Sequence, residues 1–194
     1  MATVLSFSIS FTLLLAIHLA TPDCPSIISR AQWGARPPTG IEVMKTPVPN
    51  VVVHHTVMGE GECSTRSECI QVMKDIQNLH MDTNGWADIG YSFLVGGDGG
   101  VYEGRGWDRV GAHAPGYNDK STGISVIGNF MDYLPNQVQM NLTQILIECG
   151  TSEGYIIPNY TLYGHRDVKA TSCPGDKFYE EISTWPQFHY GESN

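Results

Sequence analysis

The chain is predicted to fold as an α/β protein with a central mixed β-sheet, because β-branched apolar runs alternate along it with segments of helical periodicity. The β-branched run at 51–57, which is rich in valine, predicts a strand that is buried on both faces. Residues 67–81 and 135–154 carry apolar side chains at helical spacing and predict two helices, and residues 176–184 predict a third. The pattern therefore indicates one sheet flanked by three main helices.

The remaining segments complete the sheet. Further strands are predicted at residues 91–95, 101–103, 124–130 and 161–164. The glycine-rich turn at 96–100 joins the first two of these as a β-hairpin. Residues 27–49 are rich in proline and glycine and are expected to form surface loop.

The amino-terminal segment resembles a secretory leader. Residues 1–20 contain no Asp, Glu, Lys or Arg, and small residues follow an apolar stretch near Ala20. This predicts a signal peptide cleaved near Ala20, a secreted protein and one domain at residues 24–190. The alternative is a signal-anchor helix, which needs ~20 apolar residues. The signal-anchor helix is disfavoured by four hydroxyl side chains within the segment, those of Ser6, Ser8, Ser10 and Thr12.

The charge of the chain limits its partners. Its formal net charge is −9 at pH 7. An acidic surface repels nucleic acid and anionic lipid, so neither a nucleic-acid partner nor a membrane surface is expected.

Five cysteines stand in a chain that is expected to be secreted, where disulfides persist. Cys63 and Cys69 lie close together in a small-residue loop, which suggests a local bridge, and Cys24 could then pair with Cys149. Four cysteines allow three pairings, so spacing alone does not decide between them. An odd number leaves at least one thiol over, and Cys173 is the candidate.

Potential metal ligands occur on separate segments. The pair His54-His55 ends the valine run, and His165 precedes Cys173 by eight residues. Two imidazoles and one thiolate can bind Zn²⁺ and leave a fourth tetrahedral position for water, as in a catalytic site. Since strand side chains alternate, only one of the two adjacent histidines can face such a site, and the pattern does not say which. The alternative is a packed strand histidine and a buried cysteine in a solvent loop.

Several motifs, in order, resemble the peptidoglycan recognition protein family, whose fold is shared with phage-type zinc N-acetylmuramoyl-L-alanine amidases. The matching segments are Val-His-His-Thr at 53–56, Gly-Trp-Ala-Asp-Ile-Gly-Tyr-Ser-Phe at 85–93, Asp-Gly at 98–99, Tyr-Glu-Gly-Arg-Gly-Trp at 102–107, Gly-Ala-His at 111–113, Gly-Ile-Ser at 123–125, Gly-Asn at 128–129, Gly-His-Arg-Asp at 164–167 and Cys-Pro-Gly at 173–175. They cover almost all of the chain beyond the leader, and the short secreted insect-type members are the most similar.

The resemblance implies a sheet flanked by three helices and a groove that binds bacterial peptidoglycan or muramyl peptide. It implies Zn²⁺ as cofactor, held by His55, His165 and Cys173, with Tyr91 beside the metal. Members that only bind cell wall typically have serine in place of the cysteine, so Cys173 favours the catalytic branch. The implied reaction is hydrolysis of the amide between the lactyl group of muramic acid and L-alanine. Phage relatives carry lysine where this chain has Thr171, which leaves Thr171 without an expected catalytic role.

The resemblance also indicates substrate contacts. Arg105 occupies a position where members that prefer diaminopimelate often have arginine, and a guanidinium can bind the extra carboxylate with two hydrogen bonds. The alternative is an exposed arginine on a turn. Four other side chains are candidates for the groove: Trp86, Trp107, His113 and Tyr117. Core packing is the alternative for each tryptophan. Asp88 is interpreted as a turn-capping residue rather than a general base.

Three functions follow from these observations. The first is a secreted zinc amidase in innate immunity, and the second is a non-catalytic peptidoglycan receptor that signals through protein contacts. The third is a structural zinc protein without turnover. Zinc content separates the receptor from the other two, and release of free stem peptide separates the enzyme from a structural zinc protein.

Overall fold

A six-stranded mixed sheet forms the centre of the protein, in a computed structural model that describes residues 24–58 and 63–191. The strands are β1 (Ile27–Ile28), β2 (Val48–His55), β3 (Phe93–Val95), β4 (Val101–Glu103), β5 (Ser121–Val126) and β6 (Ile156–Gly164). Their order across the sheet is β1-β4-β3-β5-β2-β6. The β3–β4 hairpin is antiparallel and the other pairs are parallel, which confirms the predicted mixed sheet. The expected leader at residues 1–20 lies outside the described residues.

Five α-helices accompany the sheet in the described ranges. They are α1 (Arg30–Trp33), α2 (Arg66–Asn78), α3 (Gln137–Ser152), α4 (His165–Val168) and α5 (Asp176–Ile182). Capping boxes fix where α2 and α3 begin, because Thr65 and Asn136 each accept a hydrogen bond from the third helical residue. The π-helical segment Leu79–Thr83 continues α2, so the predicted helix 67–81 changes its hydrogen-bonding pattern before its end.

The three main helices are confirmed, and the prediction for residues 27–49 is wrong in part. That segment contains β1 and α1 as well as loop. The short helix α4 lies directly after β6 and was not predicted from the sequence.

The two faces of the sheet pack against different helices. Val51 and Val53 belong to an apolar core with residues of α3 and α5. Leu94 and Tyr102 belong to a second core with residues of α2. Because side chains alternate along β2, His54 lies on the α2 face and His55 on the α3 face.

Two disulfides close the chain on itself. Cys24 bonds to Cys149 and Cys63 bonds to Cys69, which confirms the expected pairing. Cys173 is the free cysteine among the described residues, and it is buried. Within the described ranges, no helix is long and apolar enough to cross a membrane.

Candidate metal centre

Three soft-metal ligands meet at one place, and we call them the donor cluster: His54, His165 and Cys173. Their ligand atoms all lie within 4.8 Å of one another. His54 and Cys173 are buried, and His165 is partly exposed. The arrangement brings together three segments that are far apart in the sequence.

The histidine of the adjacent pair that joins this cluster is His54, which corrects the expectation that His55 is the ligand. His54 Nδ1 lies 3.8 Å from Cys173 Sγ. The ring of His55 points to the opposite face of the sheet, where its Nδ1 accepts a hydrogen bond from the Phe130 N–H at 3.3 Å. Because side chains alternate along a strand, the two rings cannot both face one site. The position of α2 determines which face of the sheet carries the site.

The local backbone structure positions the other two donors, His165 and Cys173. The strand β6 runs parallel to β2 and ends at Gly164, so His165 emerges beside the end of β2. The Arg166 N–H donates to the Cys173 carbonyl oxygen at 3.0 Å, which folds the loop before Cys173 back onto α4. This return places the sulfur beside the two imidazoles.

The protonation states suit metal binding. Burial lowers the pKa of His165 to about 4 and the pKa of His54 well below its usual value, so both rings are neutral at pH 7. Burial raises the pKa of Cys173 to about 12, while the His55 N–H, which donates to the sulfur at 3.3 Å, and the charge of Arg166 act in the opposite direction. A cation among these donors would stabilise the thiolate.

These donors fit Zn²⁺. Ligands of tetrahedral zinc at 2.0–2.3 Å stand ~3.5 Å apart, close to the observed separation of the Cys173 sulfur and the His54 nitrogen. Among the described residues, His165 Nε2 is a buried nitrogen without a hydrogen-bond partner. A set of two neutral imidazoles and one thiolate is typical of zinc sites that keep a position for water.

His113 supports the ring of His54. Its Nδ1 lies 3.0 Å from His54 Nε2, on the side of the ring away from Cys173. His113 is 6% exposed. The glycine at position 123 makes room for it, because a Cβ there would lie 2.5 Å from the His113 ring. His113, expected in the groove, therefore lies beneath the donor cluster.

Tyr91 lies beside the cluster, as expected. Its ring is 5.2 Å from the ring of His54. Desolvation raises the pKa of its hydroxyl well above the usual value, so the hydroxyl keeps its proton and can donate a hydrogen bond. His80 packs 5.7 Å from Tyr91 and 4.6 Å from Trp86, which is 37% exposed. His80 lies within the predicted helix 67–81, and its position in that helix did not indicate that it lies near the donor cluster.

Arg105 is not a free arginine on a turn. Its Nε donates to the Ile89 carbonyl oxygen at 2.8 Å, and its Nη1 donates to the Val110 carbonyl oxygen at 2.6 Å. A guanidinium has five N–H groups, so others can still donate to a ligand. Asp88 is 2% exposed and pairs with Arg30 at 2.9 Å, which supports its interpretation as a structural residue.

The structure also places Trp107, Tyr117 and Thr171. Trp107 packs 4.4 Å from Phe93 and stacks on Tyr155 on the α3 face, so it is a packing residue and its expected place in the groove is wrong. Tyr117 lies 5.6 Å from Tyr163 and lines a cleft beside β6. Thr171 is exposed, and its hydroxyl accepts a hydrogen bond from the Cys173 N–H.

We expect the stability of the metal-free protein to fall as the pH drops from about 6.5 toward 4. Burial lowers the folded-state pKa of His55, His80 and His165 to about 4, from 6.5 in the unfolded chain. Between these values the unfolded state binds more protons, so acid favours unfolding, and the stabilisation is complete above pH 6.5. One such group accounts for about 3 kcal/mol. Urea unfolding in the presence of a chelator measures this; equal free energies of unfolding at pH 7 and pH 4.5 would contradict it.

The fold is that of the N-acetylmuramoyl-L-alanine amidase class, and the donor cluster lies within the part of the chain that resembles it. The family model for N-acetylmuramoyl-L-alanine amidase matches residues 44–176. Peptidoglycan-recognition protein LB of Drosophila melanogaster is 46% identical over 162 residues, which are 84% of this chain and 69% of that protein. The chain belongs to the N-acetylmuramoyl-L-alanine amidase family and, within it, to the peptidoglycan-recognition proteins.

The similar proteins include a named amidase as well as recognition proteins of known structure. A human N-acetylmuramoyl-L-alanine amidase is 41% identical over 85% of this chain and 29% of its own length. The solved structure of wild-type Drosophila PGRP-LB has a TM-score of 0.84 at 44% identity, covering 88% of this chain and 99% of that one. Peptidoglycan recognition protein LE, solved in complex with tracheal cytotoxin, a monomeric diaminopimelic acid-type peptidoglycan, has a TM-score of 0.82 at 42% identity over 84% and 96% of the chains.

Proposed function

We propose that this protein is a zinc-dependent N-acetylmuramoyl-L-alanine amidase that binds bacterial peptidoglycan and hydrolyses the amide between the lactyl group of muramic acid and L-alanine. The donor cluster carries this proposal, because it contains a cysteine rather than a serine beside two neutral imidazoles. Membership of the amidase family and the named activity of the human relative support it.

Each residue of the site has a distinct role in the proposed reaction. His54, His165 and Cys173 would hold the zinc ion, which would polarise the scissile carbonyl and activate water for attack. The protonated hydroxyl of Tyr91 donates a hydrogen bond to the carbonyl oxygen as negative charge develops there. The His55 N–H donates to the Cys173 sulfur and stabilises its negative charge.

His113 orients His54 in this proposal. When Nδ1 of His54 faces the metal, its Nε2 carries the proton and donates to His113 Nδ1. This bond fixes the tautomer and the ring orientation before the ion arrives. His113 is therefore a positioning residue in this proposal, and it acts on His54 rather than on the substrate.

Replacing His113 with phenylalanine is expected to weaken zinc binding about 10–100-fold, because the ring volume is kept while the acceptor is lost. Competition with a chromophoric chelator measures the zinc dissociation constant. His80→Phe is the matched control, since His80 is also a buried histidine that accepts a hydrogen bond, from the Gly90 N–H, and does not belong to the donor cluster. Equal zinc affinities for the two variants would contradict the positioning role.

Arg105 supports a preference for diaminopimelate-type stems. Replacing it with threonine is expected to reduce the ratio of kcat/KM for diaminopimelate-type over lysine-type muramyl peptide about tenfold, the effect of one charge-assisted hydrogen-bonded contact. The lysine-type peptide is the internal control for damage to the fold. An unchanged ratio would remove Arg105 from substrate selection.

Secretion and a defensive role complete the proposal. Two disulfides suit an oxidising compartment, which supports secretion after removal of the expected leader. The proposed functional domain is residues 24–190. Cleavage of peptidoglycan in an animal host would destroy immune-stimulating fragments or attack bacteria, which places the protein in innate immunity.

Incubation with a diaminopimelate-type muramyl peptide tests the activity directly. We expect mass spectrometry to detect free stem peptide with a new L-alanine amino terminus, no release after chelation, and recovery when zinc is added. Binding of the muramyl peptide without release, at full zinc occupancy, would contradict the amidase and favour the non-catalytic receptor.

A further inference from the structure

Ser125 carries a buried hydroxyl that packing does not explain. The residue lies in β5 and is fully shielded from solvent, at 0% exposure. Among the described residues, its Oγ has no hydrogen-bond partner at ordinary length and angle. Burying a hydroxyl in this way is unfavourable, and alanine would fill nearly the same space without that cost. The hydroxyl therefore indicates a role beyond packing.

The strand register places Ser125 at the donor cluster. It pairs with His54 of β2. Its neighbour Ile124 belongs to the core on the α3 side, so Ser125 faces α2, as His54 does. Gly123, two residues earlier on the same face, lies against the ring of His113. This face of β5 therefore contacts the support of His54 first and then reaches Ser125, beside His54 itself.

The polar group that meets Ser125 is the hydroxyl of Tyr91. The Tyr91 ring packs against the core on the α2 side and lies 5.2 Å from the ring of His54. Desolvation and the charge of Cys173 raise the pKa of the Tyr91 phenol, whereas the Ser125 hydroxyl lowers it. A donated hydrogen bond has this effect, because it stabilises the phenolate. The contact is longer or less well aligned than an ordinary hydrogen bond, and catalytic contacts of this kind often tighten when substrate binds.

We propose that Ser125 is a positioning residue that directs the proton of Tyr91 toward the substrate. A phenol hydroxyl has one proton to donate and accepts through its lone pairs. When Ser125 donates to Tyr91 Oη, the proton of Tyr91 points at the carbonyl oxygen of the scissile amide. Successive hydrogen bonds polarise one another, so the bond from Tyr91 strengthens as negative charge develops on that oxygen. The inference rests on the proposed function, because Ser125 acts through Tyr91.

The surroundings of Ser125 do not suit a nucleophile. A serine nucleophile needs a base within hydrogen-bond reach. The nearest imidazole along the sheet is that of His54, and its two nitrogens face Cys173 and His113. Full burial also keeps the Ser125 Oγ from direct attack on a substrate carbonyl. Its hydroxyl therefore acts on Tyr91 rather than on the reacting atoms.

Replacing Ser125 with alanine is expected to lower kcat for a diaminopimelate-type muramyl peptide about tenfold, the effect of one hydrogen bond. KM and the zinc dissociation constant are expected to stay unchanged, because the contact strengthens only in the transition state. Thr143→Val is the matched control, since it removes another buried hydroxyl, which donates to the Gln139 carbonyl oxygen within α3. A kcat in Ser125→Ala equal to that of this control would overturn the proposal.

A double substitution shows whether Ser125 acts through Tyr91. Tyr91→Phe keeps the ring and removes the hydroxyl that Ser125 positions. In that background we expect Ser125→Ala to cause no further decrease in kcat, because the two residues act as one unit. An equal decrease in both backgrounds would show that Ser125 acts independently of Tyr91, which would overturn the proposal.

Carbon-13 NMR separates failure of this inference from failure of the proposed function. If the wild-type protein releases no stem peptide, the amidase proposal fails, and the contact between the two hydroxyls is tested on its own. In protein labelled at the tyrosine Cζ, the signal of Tyr91 is the one that Tyr91→Phe lacks. We expect Ser125→Ala to shift this signal and Thr143→Val to leave it in place. An unshifted signal in Ser125→Ala overturns the assignment of Ser125, whether or not the protein is an amidase.

Discussion

Replacing Cys173 with serine is expected to abolish zinc-dependent amide cleavage. Serine keeps the shape of the side chain, but its hydroxyl does not supply the anionic soft ligand that zinc prefers. Loss of a direct ligand should exceed the 10–100-fold effect of changing a supporting residue, so we expect a decrease of more than about 100-fold in both zinc affinity and kcat/KM. Stem-peptide release and metal content of the purified variant measure the two effects.

The control for this variant is His55→Gln. His55 is adjacent to the donor cluster in sequence, but its ring faces Phe130 on the other side of the sheet. Zinc content is therefore expected to stay close to one ion per chain in His55→Gln and to be lost in His54→Gln. Zinc-dependent cleavage retained by Cys173→Ser would remove the thiolate from the account.

Loss of the Cys24–Cys149 bridge is expected to have the largest effect on stability. The two cysteines are separated by 125 residues, and the chain-entropy model assigns about 5 kcal/mol to a loop of this length. The Cys63–Cys69 bridge spans 6 residues, and the same model assigns it about 2 kcal/mol. Since a domain is typically stable by 5–15 kcal/mol, the first loss brings the protein near its unfolding threshold.

Paired alanine substitutions at each bridge allow the two to be compared in the same background. We expect Cys24→Ala/Cys149→Ala to lower the free energy of unfolding by more than Cys63→Ala/Cys69→Ala, as measured by guanidinium titration. The opposite order would show that the long bridge does not act by restricting the unfolded chain.

The sequence predicted the parts of the fold that depend on local patterns. The hairpin at the glycine-rich turn, the valine-rich strand and the three main helices all occur where the turn and the apolar periodicity predict them, to within a few residues. The short elements β1, α1 and α4 were missed because each contains two to four residues and depends on contacts with β4 or β6 rather than on periodicity.

The sequence indicated the residue types of the donor cluster, but two of the expected site residues, His55 and Trp107, lie on the opposite face of the sheet. Alternation along β2 shows that His54 and His55 diverge, but it does not show which face α2 covers. That choice is made by tertiary packing, as is the placement of Trp107 against Phe93 on the opposite side of the sheet. His113 and His54 are 59 residues apart in the sequence, so no local pattern could predict the contact between them.

Anomalous diffraction at the zinc absorption edge, from crystals grown with zinc, tests the central claim most directly. We expect one peak per chain, at ~2.0–2.1 Å from a nitrogen of His54 and of His165 and at ~2.3 Å from the Cys173 sulfur. A peak coordinated by His55, or no peak among these three side chains at saturating zinc, would contradict it.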